Sequence, residues 1–175
     1  MSQEIERKFR IRNFDQLCQI YYQNHEVRNS IIKQGYLAIE PSGTEVRLRR
    51  EGFKPKPRHY LTVKNGQGLI RGETETEISQ LQFQVLWPMT EGRRIEKVRH
   101  HILVLSDILS DILKLEIDCY TGNLEGLYIA EIEFPTEAEA KKFQPLVWLG
   151  DEVTTDKRFK NQNLATLKDI SALKP

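Results

Sequence analysis

The chain has 175 residues and a formal net charge of +1, enough for one folded unit to bury about 70% of its unfolded surface. So even a balance gives the whole molecule no bias toward nucleic acid or a membrane surface, and any anion it binds must be met by local clustering of cations. It contains no apolar run approaching ~18 residues and no cationic start followed by an apolar middle, so a cytoplasmic protein is expected.

Residues 3–13 alternate so strictly that, in a strand, Glu4, Glu6, Lys8 and Arg10 share one face while Ile5, Phe9 and Ile11 share the other. Two carboxylates followed by two cations on one face suit a site with a divalent metal at one end and an anion, such as phosphate, at the other. A solvated strand face is the plainer alternative. After a helix over 14–24 and a strand over 27–40, the pattern returns. Residues 44–51 set Glu45, Arg47 and Arg49 opposite Val46 and Leu48, and residues 58–64 set Tyr60, Thr62 and Lys64 opposite Leu61 and Val63. Residues 70–78 carry Glu73, Glu75 and Glu77 on one side. A helix over 79–87 follows, then a strand over 91–104 whose stripe holds Arg93, Lys97 and Arg99. Residues 112–121 place Lys114, Glu116, Asp118 and Tyr120 opposite Leu115, Ile117 and Cys119, and residues 126–134 place Glu131 and Glu133 opposite Ala130, Ile132 and Phe134. Thr136 followed by Glu139 has the form of a capping box for a helix over 136–143, and a helical region is expected beyond position 151. Turn signals at Pro41-Ser42-Gly43, Asn65-Gly66-Gln67-Gly68 and Thr121-Gly122-Asn123 separate these elements, which total eight mostly antiparallel strands.

Like charges cluster within the stripes. At a spacing of roughly 6 Å and an effective dielectric near 20, two of them repel by about 3 kcal/mol, so Arg47 with Arg49, or Glu131 with Glu133, needs open water or a counter-ion. A bound polyanion and a metal would supply both. Closing the sheet with its charged face inward would remove strand edges and turn the apolar face outward, where helices cover it. Cys18 and Cys119 read as small buried hydrophobes, and His25, His59, His100 and His101 have no metal-ligand spacing. Trp87 and Trp148 read as core anchors.

Glu4-Ile5-Glu6-Arg7-Lys8 resembles the ExExK motif of the CYTH domains, or triphosphate tunnel metalloenzymes. Eight further elements stand in family order: Gln34-Gly35-Tyr36-Leu37, Val46-Arg47-Leu48-Arg49, Leu61-Thr62-Val63-Lys64, Arg71-Gly72-Glu73-Thr74-Glu75, the segment 91–99, Leu115-Glu116-Ile117-Asp118, Glu131-Ile132-Glu133-Phe134 and the segment 156–161. The resemblance covers almost the whole chain and implies a single domain over 1–175. Its fold would be an eight-stranded antiparallel closed barrel, a tunnel with a charged interior and helices packed outside. It also implies a triphosphate-containing substrate and Mg2+ or Mn2+.

Carried over position by position, Glu4, Glu6, Glu131 and Glu133 are the expected metal ligands, because hard divalent ions take carboxylate oxygen. Glu73, Glu75, Glu116 and Asp118 would hold a second metal or orient the basic residues. Lys8, Arg47, Arg49, Lys64 and Arg99 would bind phosphate oxygens. Structural ion pairs are the alternative for each. Lys97, crowded by Arg93, Arg94 and Arg99, is expected to have a lowered pKa and to serve as a base, with the Tyr36 hydroxyl as partner, or else to be one more phosphate ligand. Lys157 and Arg158 would sit at a tunnel mouth, as a plug or on a solvated helix face.

Short bacterial family members that hydrolyse inorganic triphosphate are the best match in length and in the 91–97 element. Class IV adenylyl cyclase, thiamine triphosphatase and a non-catalytic polyphosphate or nucleotide-binding module are the alternatives. The expected partner is a small polyphosphate or nucleoside triphosphate, with no nucleic-acid polymer and no membrane; a homodimer is left open.

Overall fold

A computed structural model describes residues 2–21, 27–52, 56–66, 70–106 and 111–173. Among the described residues the period-two alternation becomes eight strands, β1 (Ser2–Arg10), β2 (Arg28–Ile39), β3 (Glu45–Glu51), β4 (Arg58–Asn65), β5 (Ile70–Glu77), β6 (Arg94–Ser106), β7 (Asp111–Tyr120) and β8 (Tyr128–Glu133), joined by a short β9 (Asp151–Glu152). All pairings are antiparallel, in the order β5-β4-β3-β2-β6-β7-β8-β1-β9. Phe9 and Arg10 pair on one side with β8 and on the other with β9, while residues 2–5 of β1 pair with β5, the strand at the far end of that order.

Among the described residues helices are few and short: α1 (Phe14–Tyr21), α2 (Gln80–Leu86), α3 (Glu137–Lys142) and α4 (Asn161–Leu164). None among the described residues is long and apolar enough to cross a membrane. Ser79 and Gln82 form a reciprocal capping box at α2, and the Thr136 hydroxyl accepts the Glu139 N–H at 3.2 Å to start α3. The expected end of the first helix, residues 22–24, lies outside the described residues.

Two departures from the sequence reading have local causes. The strand expected from 91 begins at Arg94, because a 3-10 turn over Trp87–Thr90 and Gly92 at φ 75° delay the extended run. The region beyond 151 opens not with a helix but with β9. There Gly150, at φ 77°, lies so close to the chain that an added Cβ would fall 2.2 Å from the Arg10 carbonyl oxygen, and this lets Asp151 and Glu152 pair along β1.

The apolar faces point where alternation puts them. Ile5 and Phe9 of β1, Ile102 of β6, Leu115 and Ile117 of β7 and Ala130 and Ile132 of β8 form one buried cluster with Leu17 of α1 and Ala140 of α3. A second cluster joins Tyr36, Ile95, Tyr120 and Ile129 to Val153, Phe159 and Leu164, packing the C-terminal segment against the sheet. On β4, His59 and Phe83 of α2 meet with ring centroids 4.8 Å apart, and Phe83 stacks on Trp87 at 5.0 Å. Trp87 and Trp148 are both only half-buried, Trp148 against the first cluster.

Gly35 brings β2 against Thr90, which is fully buried and accepts from the Arg94 Nε while donating to the Trp87 carbonyl. An added Cβ at Gly35 would lie 2.5 Å from the Thr90 Oγ1. Gly35→Ala is expected to lower stability by about 1–3 kcal/mol through forced repacking. An unchanged urea midpoint would contradict this close approach.

Candidate active site

A cavity of about 530 Å3 opens inside the sheet, and the charged stripes of the strands line it. Of the residues singled out in the sequence, Glu4, Glu6, Lys8, Arg47, Arg49, Lys64, Glu73, Glu75, Lys97, Arg99, Glu116, Glu131 and Glu133 all face it. The stripes are placed by register: Arg47 of β3 stands beside Thr62 of β4 and Thr62 beside Glu75 of β5, while Arg99 of β6 stands beside Asp118 of β7.

Most cations there are drawn to a carboxylate. Lys64 Nζ lies 2.5 Å from Glu4 and 3.3 Å from Glu73; Lys8 Nζ lies 2.6 Å from Glu131 and 3.0 Å from Glu6. Arg49 reaches Glu75 at 2.8 Å and Arg47 reaches Glu73 at 3.3 Å. The Arg99 guanidinium serves Asp118, Glu116 and Glu131 together. Arg47, 7% exposed, and Arg49 each keep an Nε with no hydrogen-bond partner, and of the two Arg47 has the longer carboxylate contact. A buried N–H of that kind costs about 1–3 kcal/mol until an acceptor arrives.

The acids fall into two groups. Despite burial, Glu131 is held well below the usual carboxylate range by Lys8 and Arg99, and Glu116 is lowered to about 2 by Arg99 and a hydrogen bond from His101. Glu6 is pushed up by burial and by the carboxylates of Glu131 and Glu4, against the pull of Lys8. Glu133 is pushed up by burial and by Glu4, Glu116 and Glu6, against the pull of Lys114. Glu4, Glu6, Glu131 and Glu133 thus repel across the cavity, and their hard oxygen donors have the chemistry of a divalent-cation site. Among the described residues no three acidic, imidazole or thiol groups are already gathered as a metal cluster, since Lys8, Lys64 and Arg99 hold the carboxylates.

Four expected site residues do not line the cavity. Asp118 is 0% exposed and lies behind Lys97 and Arg99. Tyr36 is also 0% exposed; its hydroxyl accepts from the Gln34 Nε2 at 2.6 Å rather than meeting Lys97 in a hydrogen bond. Lys157 and Arg158 are exposed, and Arg158 folds back on its own Asp156 at 2.7 Å; their neighbours Asp156, Phe159, Lys160 and Asn161 reach the cavity instead.

Lys97 does have a lowered pKa, of about 8, to which burial and, as expected, Arg99 contribute but Arg93 and Arg94 do not. Burial is the largest cause and Arg99 the second, offset by Asp118, which accepts from its Nζ. Arg93 and Arg94 point away, donating to the Met89 carbonyl and to Thr90 and the Trp87 carbonyl. The sequence reading gave no role to Gln34, 2% exposed at the cavity wall, or to Glu45, Lys114 and Thr154, which also line it. Glu45 and Lys114 stood on the predicted stripes, and that was the signal for them. Gln34, uncharged, gave none.

The molecule is thus a mainly antiparallel β protein with few helices around a buried, ion-paired cavity. No family model matches the chain. An inorganic triphosphatase of Nitrosomonas europaea is 40% identical over 162 residues, covering 93% of this chain and 96% of that protein. One from Acetivibrio thermocellus is 34% identical over 166 residues, covering 94% of each. The crystal structure of an inorganic triphosphatase matches with a TM-score of 0.63 at 38% identity, covering 95% of this chain and 96% of the other. The chain belongs to the inorganic triphosphatase family.

The two groups of acids set the pH response of the fold. Glu131 and Glu116, depressed when folded, contribute stability that is present above pH ~4.5 and lost as pH falls toward their folded values. Glu6 and Glu133, raised when folded, take up protons first and act oppositely, adding stability as pH falls from neutrality toward ~4.5. Below pH ~4.5, thermal melting is expected to fall steeply toward pH ~2. A melting temperature flat down to pH ~2 would contradict the pairing of Glu131 and Glu116.

Proposed function

We propose that the chain is a metal-dependent hydrolase of triphosphate-containing substrates that cleaves inorganic tripolyphosphate to diphosphate and phosphate. The observation that carries this reading is the convergence of Lys8, Arg47, Arg49, Lys64, Lys97 and Arg99 on one cavity, with the buried Nε groups of Arg47 and Arg49 lacking acceptors. The names of the relatives support the triphosphate. The reading takes 1–175 as one domain and the sheet as a closed tunnel, which the pairing of β1 with both β8 and β5 supports.

In this reading Glu4, Glu6, Glu131 and Glu133 would hold Mg2+ or Mn2+, and a second ion would fall to Glu73, Glu75 and Glu116. A bound ion would neutralise phosphate charge and relieve the carboxylate repulsion that adds to burial in raising Glu6 and Glu133. Lys8, Arg47, Arg49, Lys64 and Arg99 bind the phosphate oxygens, the arginines by paired donors. Burial excludes bulk water and strengthens each contact. Lys97, part neutral near pH 8, takes a proton from the water that attacks the terminal phosphorus. The new bond joins that oxygen to phosphorus, and the bond from phosphorus to the bridging oxygen breaks to release diphosphate.

Phosphate release from tripolyphosphate, ATP and thiamine triphosphate, with Mg2+ and with excess EDTA, tests the reading, alongside an assay for cyclic AMP. Tripolyphosphate is expected to be the best substrate, and EDTA to abolish turnover. As Lys97 must be neutral to act, kcat should rise with pH through about 8 and then level. Lys97→Arg, which stays protonated, should lose that limb and about a hundredfold in kcat. Cyclic AMP as the main product would move the chain to the cyclases; an intact pH limb in Lys97→Arg would remove the lysine as base.

A further inference from the structure

Asp118 reads in the sequence as one more cavity carboxylate, because it shares the stripe of β7 with Glu116. In the structure Glu116 lines the cavity while Asp118 does not, and Asp118 is wholly buried. Both of its oxygens are occupied. Oδ1 accepts from the Arg99 Nε at 2.7 Å; Oδ2 accepts from the Arg99 Nη2 at 2.7 Å and from the Lys97 Nζ. These two cations, themselves 8% and 2% exposed, lie between Asp118 and the space a substrate would fill. The backbone fixes the arrangement, since Asp118 is the direct cross-strand partner of Arg99 and its flanking residues Ile117 and Cys119 pack on the outer apolar face. A carboxylate with no exposed surface and three donors on its two oxygens reaches neither a phosphate nor an ion in the cavity unless both cations first leave.

We infer that Asp118 is a positioning residue for triphosphate cleavage: it anchors Lys97 and Arg99 from behind the cavity wall and aims them at the substrate. The inference rests on the triphosphatase reading and fixes which of two roles Asp118 plays there. A metal ligand would act on an ion directly; an anchor acts only through the two cations.

The roles separate in Asp118→Asn, which keeps volume but removes the charge. An anchor's loss leaves the cavity one negative charge poorer with Lys97 and Arg99 no longer pinned. Tripolyphosphate, titrated calorimetrically in EDTA, should then bind no more weakly than to the parent, while kcat falls by about a hundredfold, the scale of a misplacement of about 1 Å. Raised Mg2+ should not restore it. Recovery of kcat at high Mg2+, or binding weakened tenfold with kcat preserved, would overturn the inference. Asp118→Glu, which keeps the charge but moves it by one methylene, should show a similar kcat loss with affinity unchanged, and full activity there would also overturn it. If neither variant melts cooperatively, the role is structural and the inference falls. A parent that binds tripolyphosphate without cleaving it would remove the triphosphatase reading, while weakened binding to Asp118→Asn would still count against the anchor.

Discussion

The constraint on which this structure turns is the burial of many charges of both signs in one cavity. Strand alternation forces them there: once Ile5, Phe9, Leu115 and Ile132 face the outer core, their neighbours Glu4, Glu6, Lys8, Glu116 and Glu131 must face inward. Each isolated buried ion would cost several kcal/mol in lost hydration. The fold offsets this by interlocking the stripes. Arg47 and Arg49 on β3 reach Glu73 and Glu75 on β5, past the strand between them, and Arg99 on β6 reaches Glu131 on β8. Lys64 on β4 reaches Glu4 on β1. The side chains that would handle a polyanion and a metal are therefore the ones that neutralise each other in the empty protein.

This gives binding a definite character. On the proposed reading a polyphosphate would not enter a field of free cations; it would take lysines and arginines away from carboxylates, and a divalent ion would take up the carboxylates so released. Neither exchange alone gains the full Coulombic benefit, because each leaves one set of buried charges short of partners. Arg47 is the point where neutralisation is least complete: its buried Nε, like that of Arg49, is unused, and its 3.3 Å carboxylate contact is longer than the 2.8 Å contact of Arg49.

Much of this was legible in the sequence, for a simple reason. Period-two alternation is a property of the strand alone, so the eight long strands and the inward face of each could be read without knowing the neighbours. Depth and lateral contact are properties of the assembled sheet. Asp118 and Glu116 look alike on β7, yet one is behind the wall and the other on it, because Lys97 and Arg99 converge from β6 only at the level of Asp118. Arg93 and Arg94 seemed to crowd Lys97, but the turn at Gly92 breaks the alternation before β6 begins and sends both toward the 3-10 turn. Tyr36 stands on β2 as its alternation requires, but Gln34, two residues away on the same strand, is its hydrogen-bond partner rather than Lys97. The short strand β9 depends on one glycine fitting against the Arg10 carbonyl, which no local pattern announces.

The central claim is that the cavity's cations are held in internal pairs whose exchange accommodates a polyphosphate, with Arg47 the least satisfied among them. A calorimetric titration of tripolyphosphate into the parent and into Arg47→Ala, with thermal melts of both empty proteins, tests it most directly. The account predicts affinity at least tenfold weaker in Arg47→Ala, a loss of about 1.4 kcal/mol, in a protein that still melts cooperatively when empty. Equal affinity for tripolyphosphate in the two proteins would contradict it.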